Sequence, residues 1–550
     1  MKQILCISLW LMGCLMPAVS YSETLTDALE SPAATTRTVP ELVQELTEKS
    51  LTQAVPVLEA LEQQGGEEML PLFRTMLNGD LYYVKDTSQV VGKTDTAGEE
   101  SYADILTKAA VTGLGSRDVK KIRVNNTLRS YLRNAIARIQ LSSANPHSRE
   151  QAVLSLLSEL DNDTVGQIRE ARANESVEEV QQAMDLALAM YALDQGSSDI
   201  EKLDAVEGLA GSLQPEARNM LRKYAEMEPD HADYSARVSA AAAKALERIQ
   251  EKVEFYGFID QLFFGLSLGS VLLLAAIGLA ITFGVMGVIN MAHGEMIMLG
   301  AYTTYVIQQL MPNHIDLSIW IAIPAAFVVS GLVGVAIERG VIRHLHGRPL
   351  ETLLATFGIS LFLQQLVRTV ISPQNVPVST PDWMAGTLQI NPVWSLTLNR
   401  LYILAFALLV FFALLIILKK TNLGLNVRAV SQNRAMARAM GVRSDRVDAM
   451  TFGLGSGIAG IAGVALSQLT NVGPNLGQSY IIDSFMVVVF GGVGNLWGTL
   501  VAAFSLGIAN KFLEPVTGAV LASILVLVFI ILFIQKRPKG LFPQKGRAAE

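Results

Sequence analysis

Gly284–Tyr302 reads GVMGVINMAHGEMIMLGAY, and this stretch decides the fold of the C-terminal half. It lies in a long apolar region, yet it carries Asn290, His293 and Glu295 among four glycines, Gly284, Gly287, Gly294 and Gly300. Glycine loosens a helix. A bilayer tolerates broken backbone only where it is buried in protein or lines a wet cavity. Ionisable side chains at membrane depth are costly and by default mark a functional site. The stretch therefore predicts a discontinuous helix in a protein that moves a solute across a membrane.

Working outward, apolar runs predict spans near 261–285, 294–312, 317–338, 352–372, 400–418, 447–469 and 515–535, with a broken segment at 480–511. Of the 43 basic and 50 acidic residues, 18 and 11 fall in 257–550, leaving 25 and 39 in 1–256. The second half is thus basic and the first acidic, so the net charge of −7 describes neither. The positive charge clusters at Arg339–Arg348, Lys419–Arg446 and Lys536–Arg547, three segments that the positive-inside rule places in the cytoplasm. Counting crossings between them, 480–511 must re-enter or cross twice.

The first residues, MKQILCISLWLMGCLMPAVSYSET, have the shape of a cleaved secretory signal. Lys2 precedes a short apolar run, and small residues follow at Ala18, Ser20 and Ser22. Cys6 and Cys14 are the only cysteines, so removal of residues 1–22 leaves a chain without disulfides or thiol chemistry. Residues 23–255 read as an exported helical domain in which apolar residues recur at three and four, as at Leu42, Leu46, Leu51, Val55 and Leu58. Arg149–Leu193 and Ile200–Ile249 resemble two loose repeats, each a helix, an acidic turn and another helix, which suggests a HEAT-like solenoid. Tyr82–Ser101 is polar and reads as a loop or short β element. The fold class expected is all-α: an exported HEAT-like domain followed by a polytopic membrane domain, 256–550, with discontinuous helices.

A second Gly-rich interruption, FGGVGNLWGT at Phe490–Thr499, falls in the other membrane half. Paired interrupted segments point to a transport site at a repeat interface. Asn290, His293, Glu295, Thr356, Gln364 and Asn495 are the candidate lining of such a path. Close helix packing explains the same glycines equally simply. His293 suits a packing role as well as a ligand role, and Glu295 suits a solvated interface as well as a buried site. No catalytic residues are expected: H-E-x-x-H, G-x-S-x-G and paired His/Cys metal spacings are absent from the sequence. Gly92-Lys93-Thr94 resembles the end of a phosphate loop, but Thr87 stands where that loop needs its first glycine. Neither cofactor, metal nor nucleic acid is expected.

Residues 258–545 resemble the inner-membrane permeases of branched-chain amino-acid-type ABC transporters. The resemblance rests on Gly284–Tyr302, on LLATFGISLFLQQ (Leu353–Gln365), on the Arg-rich loop from Gly424 to Gly441, and on FMVVVFGGVGNLWGT (Phe485–Thr499). NVGPNLGQSYIIDSFMVVVFGGVGNLWGT (Asn471–Thr499) and the exported helical domain are similar to the urea branch of that family. The resemblance implies a multi-pass protein of the bacterial inner membrane working with two ATP-binding subunits, a second permease chain and a periplasmic solute-binding protein, all in contact with membrane lipid. It also implies that AMARAMG (Ala435–Gly441) docks the ATPase, through Arg428, Arg434, Ala437, Arg438 and Gly441. The family's usual acidic residue at the start of that loop is replaced by Arg434, so no particular salt bridge is carried over. Branched-chain amino acids and short amides are the alternative substrates.

Overall fold

A computed structural model describes residues 38–542, apart from 49–52, 97–98, 112–113, 116, 232 and 346. The expected signal segment 1–22, with Cys6 and Cys14, lies outside the described residues. The chain divides into two compact units, Met1–Ile139 and Gln140–Glu550.

The first unit begins with α1 (Val39–Glu48), α2 (Ala54–Gly65) and α3 (Leu70–Asn78). Then come β1 (Leu81–Val84), β2 (Val90–Thr96), β3 (Glu99–Asp104), β4 (Ala110–Val111) and β5 (Val119–Lys121), and α4 (Asn126–Leu141) follows. Leu42, Leu58, Leu61, Phe73, Leu128 and Leu132 form its buried core. The strands make one antiparallel sheet in the order β4-β3-β2-β1-β5. The chain is mostly helical, but this sheet corrects the all-α expectation. Aromatic and β-branched residues in Leu81–Val84 and Val90–Val91 suit a pleated half-buried surface, and the polar composition around them hid that signal. Gly92-Lys93-Thr94 lies inside β2, as strand rather than phosphate loop.

The second unit opens with α5 (Pro146–Leu156), α6 (Asn162–Asn174), α7 (Glu178–Gln195), α8 (Asp199–Leu209) and α9 (Pro215–Ala225). Their starts are set locally: Asn145, Asp161 and Ser198 accept N-cap bonds from His147, Thr164 and Glu201, and Pro146 and Pro215 occupy the first turns. Each stretch read as a helix pair holds three helices, α5–α7 and α8 to α10, because further short turns break them, among them the Gly- and Ser-containing 210–214 ahead of Pro215. Glu175, at the end of α6, takes a bidentate pair from Arg149 on α5 at 2.7 and 2.9 Å.

α10 (Ala236–Met286) runs unbroken for 51 residues, about 76 Å at 1.5 Å per residue. The expected domain boundary at 255/256 therefore falls inside one helix. α11 (His293–Leu310), α12 (Ile315–Gly340), α13 (Pro349–Val370), the hairpin β6 (Thr387–Asn391) and β7 (Trp394–Thr397), and α14 (Leu398–Lys420) follow. Two short helices, α15 (Asn422–Gln432) and α16 (Arg434–Ala439), lead into α17 (Ser444–Ser467). The broken segment is two helices, α18 (Leu476–Gly491) and α19 (Leu496–Thr517), before α20 (Ala519–Lys536). Among the described residues seven helices are long and apolar enough to cross a membrane: α10, α12, α13, α14, α17, α19 and α20. α11 and α18 are too polar or too short to count by that measure.

α17 is the packing centre, in contact with α10, α11 and α12. Its sequence FGLGSGIAGIAGVA presents backbone rather than side chains. A methyl group on Gly300 of α11 would overlap the Gly460 carbonyl, and one on Gly463 would overlap the carbonyl of Ile297. Gly300→Ala and Gly463→Ala should each destabilise the purified protein by about 1–3 kcal/mol, as overpacking does. Gly358→Ala on α13, which meets open space, should be neutral or stabilising by up to about 1 kcal/mol. Thermal unfolding in detergent checks the contrast. In the α5–α9 layer, Arg149 holds the Glu175 carboxyl down from 4.5 to about 2, against the opposing effect of burial and with help from the N–H groups of Val177 and Ser176. A depressed carboxyl stabilises the fold above its unfolded pKa and loses that contribution as pH falls through the folded one. Helical circular dichroism should therefore show an acid-labile step between pH 4.5 and about 2, and Glu175→Gln should remove it.

Candidate functional site

The break in the opening stretch has a defined geometry. Gly287 ends α10 in the left-handed conformation, φ +68°, which glycine adopts without strain. The chain then turns, and the Asn290 side-chain oxygen accepts from the Ala292 N–H at 3.0 Å just ahead of α11. Asn290, His293 and Glu295 are all buried. The remaining three glycines have packing roles: Gly284, Gly294 and Gly300 meet the backbones of Gly494, Gly477 and Gly460. Helix interruption and close packing thus divide the glycines between them, and the two Gly-rich segments touch at Gly284 and Gly494.

The polar side chains of the turn and of α11 meet one face of α13. Thr352, Thr356, Ser360 and Gln364 recur every four residues and are buried, so they line one helical face. Glu295 Oε1 accepts from the Ser360 hydroxyl and from Gln364 Nε2, both at 2.8 Å. The Thr356 hydroxyl accepts from the Met291 N–H at 3.1 Å. His293 Nε2 lies 3.0 Å from the Ala275 carbonyl of α10, so a neutral ring donates there and Nδ1 is left over. Glu295 Oε2, Asn290 Nδ2, His293 Nδ1 and the Tyr302 hydroxyl are buried without a hydrogen-bond partner. Such atoms cost about 1–3 kcal/mol each; Glu295 and Tyr302, seven residues apart, share one face of α11, whereas His293 faces α10. The outer face of α13 is apolar and exposed, with Leu354, Phe362 and Val370 at 65–72%.

Of the six candidate path residues, Glu295, Thr356 and Gln364 lie at the α11–α13 seam, Asn290 lies in the turn whose Met291 N–H bonds Thr356, His293 faces α10 instead, and Asn495 lies elsewhere. Asn495 caps α19, accepting from the N–H groups of Trp497 and Gly498, and donates to the Phe542 carbonyl. Ser360 and Tyr302 were not singled out from the sequence. The i, i+4 polar spacing within LLATFGISLFLQQ carries the signal for Ser360, whereas nothing local marks Tyr302.

The candidate docking residues form a third place. Arg434 makes a bidentate pair with buried Asp448 of α17, at 2.7 and 2.9 Å. Arg438 donates to Ser444 at 2.6 Å and pairs with Asp445 at 3.2 Å. Arg428 donates to the Leu418 carbonyl, Ala437 is buried, and Gly441 turns the chain at φ +88°. The arginines are therefore tied to the chain itself. Met436 and Met440, which lie in AMARAMG but are not among the candidate docking residues, are exposed large apolar side chains of this segment, at 61% and 78%.

A bundle of membrane-length helices around a broken, polar-lined segment defines a polytopic transport protein. Residues 261–534 match the family described as branched-chain amino acid transport system, permease component. The high-affinity branched-chain amino acid transport system permease proteins LivH of Salmonella typhimurium and of Escherichia coli are 30% and 31% identical to it over 298 residues, 52% of this chain and 96% of theirs. BraD of Pseudomonas aeruginosa is 30% identical over the same lengths. The ribose import permease protein RbsC of Escherichia coli is 26% identical over 273 residues, 46% of this chain and 78% of its own. No solved structure matches. The chain belongs to the branched-chain amino acid transport system permease family, and is a membrane transport subunit rather than an enzyme.

Glu295→Ala strands the Ser360 and Gln364 donors, whereas Glu295→Gln keeps an acceptor at the same place. The alanine variant should lower stability by about 1–3 kcal/mol for each stranded donor and the glutamine variant by much less, as measured by thermal unfolding of the purified chain.

Proposed function

We propose that this chain is the permease subunit of an ATP-driven ABC importer that carries urea across the bacterial inner membrane. The observation that carries the substrate is the chemistry of the seam. Glu295 is met by a hydroxyl and an amide and forms no ion pair among the described residues. A zwitterionic amino acid could set its ammonium against Glu295, but its carboxylate would then need a cation, and the side chains that meet at this seam besides Glu295, namely Thr356, Ser360 and Gln364, are neutral. Urea is neutral, and its N–H groups suit Glu295 Oε2 while its oxygen suits the Asn290 amide. In the closed seam these atoms are unsatisfied, and separation of α13 from α11 would present them to a solute. Thr356, Gln364 and His293 then shape the path, and Asn495 acts apart from it.

The helix count supports a multi-pass arrangement with residues 23–255, read as a HEAT-like domain, in the periplasm after loss of residues 1–22. With α11 and α18 taken as crossings beside the seven membrane-length helices, three helices, α10 to α12, lead to the first basic segment, two to the second, and four, α17 to α20, to the third. Each basic segment then lies in the cytoplasm, as their charge requires. The α15–α16 segment presents Met436 and Met440 to an ATP-binding subunit, since exposed methionines suit a protein contact. Arg428, Arg434, Ala437, Arg438 and Gly441 hold that segment in shape. Two such subunits, a second permease chain and a periplasmic solute-binding protein complete the importer.

Branched-chain amino acids or short amides are the second reading, favoured by the names of the LivH and BraD relatives. Uptake of labelled urea by a strain lacking this chain decides between them. Loss of saturable urea uptake, restored by the wild-type chain and not inhibited by leucine, is the expected outcome; unchanged urea uptake with loss of leucine uptake rejects urea.

A further inference from the structure

A cleft of about 550 Å³ opens between α10, α14, α15 and the turn that starts α19. Ile281, Val285, Leu415 and Leu418 give it apolar walls, and Lys419 and Arg428 stand in its lining as exposed cations. Trp497 lines it as well, half exposed and packed edge-to-face on Phe411 with ring centroids 5.4 Å apart. No carboxylate lines it, unlike the neighbouring Arg-rich cleft that includes Glu338 and Asp445.

A second observation brings more positive charge to the same turn. After α20 the chain folds back as a strap: Leu541 N–H donates to the Phe490 carbonyl at 2.9 Å and Phe542 N–H to the Gly491 carbonyl at 3.2 Å. The strap closes on Asn495, whose Nδ2 donates to the Phe542 carbonyl at 3.2 Å. Gly492, at φ +103°, has the Phe542 carbonyl against it, where a Cβ would collide, and the Lys539 carbonyl close by. Lys419 at the end of α14 and the backbone of Lys539, which follows α20, thereby meet the same turn.

We infer that this cleft is a binding site for one anionic phospholipid. A basic pocket between membrane helices at their positively charged ends matches an anionic head group. The apolar walls take the first methylenes of the acyl chains, and the half-buried indole suits the level of the head groups. A zwitterionic lipid carries no net charge to match the two cations. A free phosphate would leave the apolar walls uncovered, and a protein segment would have to displace bilayer from between α10 and α14.

The test uses the full chain in vesicles of roughly 3:1 phosphatidylcholine to phosphatidylglycerol, where each lysine or arginine near the surface contributes about fivefold to binding. Either lipid is brominated in turn, and quenching of Trp497 is read as the difference between wild type and Trp497→Phe. Stronger quenching by brominated phosphatidylglycerol, weakened about fivefold in apparent affinity by Lys419→Gln and again by Arg428→Gln, is the expected result. Equal quenching by the two lipids overturns the proposal, and so does preference that survives both substitutions. Loss of the quenching when ATP-binding subunits join the complex assigns the cleft to a protein and overturns it too. Native mass spectrometry provides a second readout: the wild type should retain an anionic lipid that Lys419→Gln loses, and equal retention rejects the site.

Discussion

The membrane unit depends on how closely the backbone of α17 approaches its neighbours. Lipid offers no hydrophobic force to drive helices together, so packing distance and van der Waals contact must do it. Along Gly453–Gly463, α17 presents Gly455 to Gly278 of α10, Gly460 to Gly300 of α11 and Gly457 to Phe327 of α12. Three helices are fixed against one axis, α10 and α11 by backbone on backbone and α12 through the Phe327 and Ser330 side chains set into the glycine positions. Buried hydroxyls follow the same logic, as where Ser330 of α12 donates to the Met296 carbonyl at 3.0 Å. This scaffold is built of contacts that tolerate no added methyl, which makes it stiff.

α13 is attached by different means. It touches the rest chiefly through α11 and the short turn Ile342–Leu345, and its buried face is polar while its outer face is apolar. Its bonds to Met291, Glu295 and, through Arg368, to Asn475 are few and can be exchanged for bonds to a solute or water. Glycine-packed backbones have no such exchange partner. The contrast places the stiff and the separable parts of the molecule on either side of Glu295.

Much of this was legible in the sequence because the bilayer imposes simple rules. Apolar runs, basic ends and Gly-rich breaks point to the helices of the membrane unit, including the interruption ahead of His293 and the broken segment expected at 480–511, which is α18 and α19 over 476–517. The chemistry of Glu295, Thr356 and Gln364 was legible for the same reason, since polar atoms in apolar runs stand out. Asn495 has the right chemistry but is consumed as a helix cap, a role that only the turn at Gly492–Asn495 reveals. Tyr82–Ser101 reads as a loop or short β element, and the extent of the five-stranded sheet is hidden because Gly, Lys, Thr and Asp in β2 and β3 obscure the alternation set by Tyr82, Val91 and Tyr102. Asp448 was passed over because its partner, Arg434, lies in a different helix, and pairing across elements has no local signature.

The Arg434–Asp448 pair joins the two themes. Asp448 is almost fully buried on α17, and leaving such a charge without its partner costs about 3–5 kcal/mol. The α16 segment therefore cannot shift far without carrying the start of α17 with it. Because α17 is locked by glycine contacts to α11, such a shift reaches the helix that holds Glu295 rather than dissipating in side-chain rearrangement. Under the proposed function, a push on Met436 and Met440 by an ATP-binding subunit would be resisted everywhere except at the hydrogen-bonded seam with α13. Opening there costs exchangeable bonds, whereas yielding elsewhere costs packing, and that difference selects which helix moves.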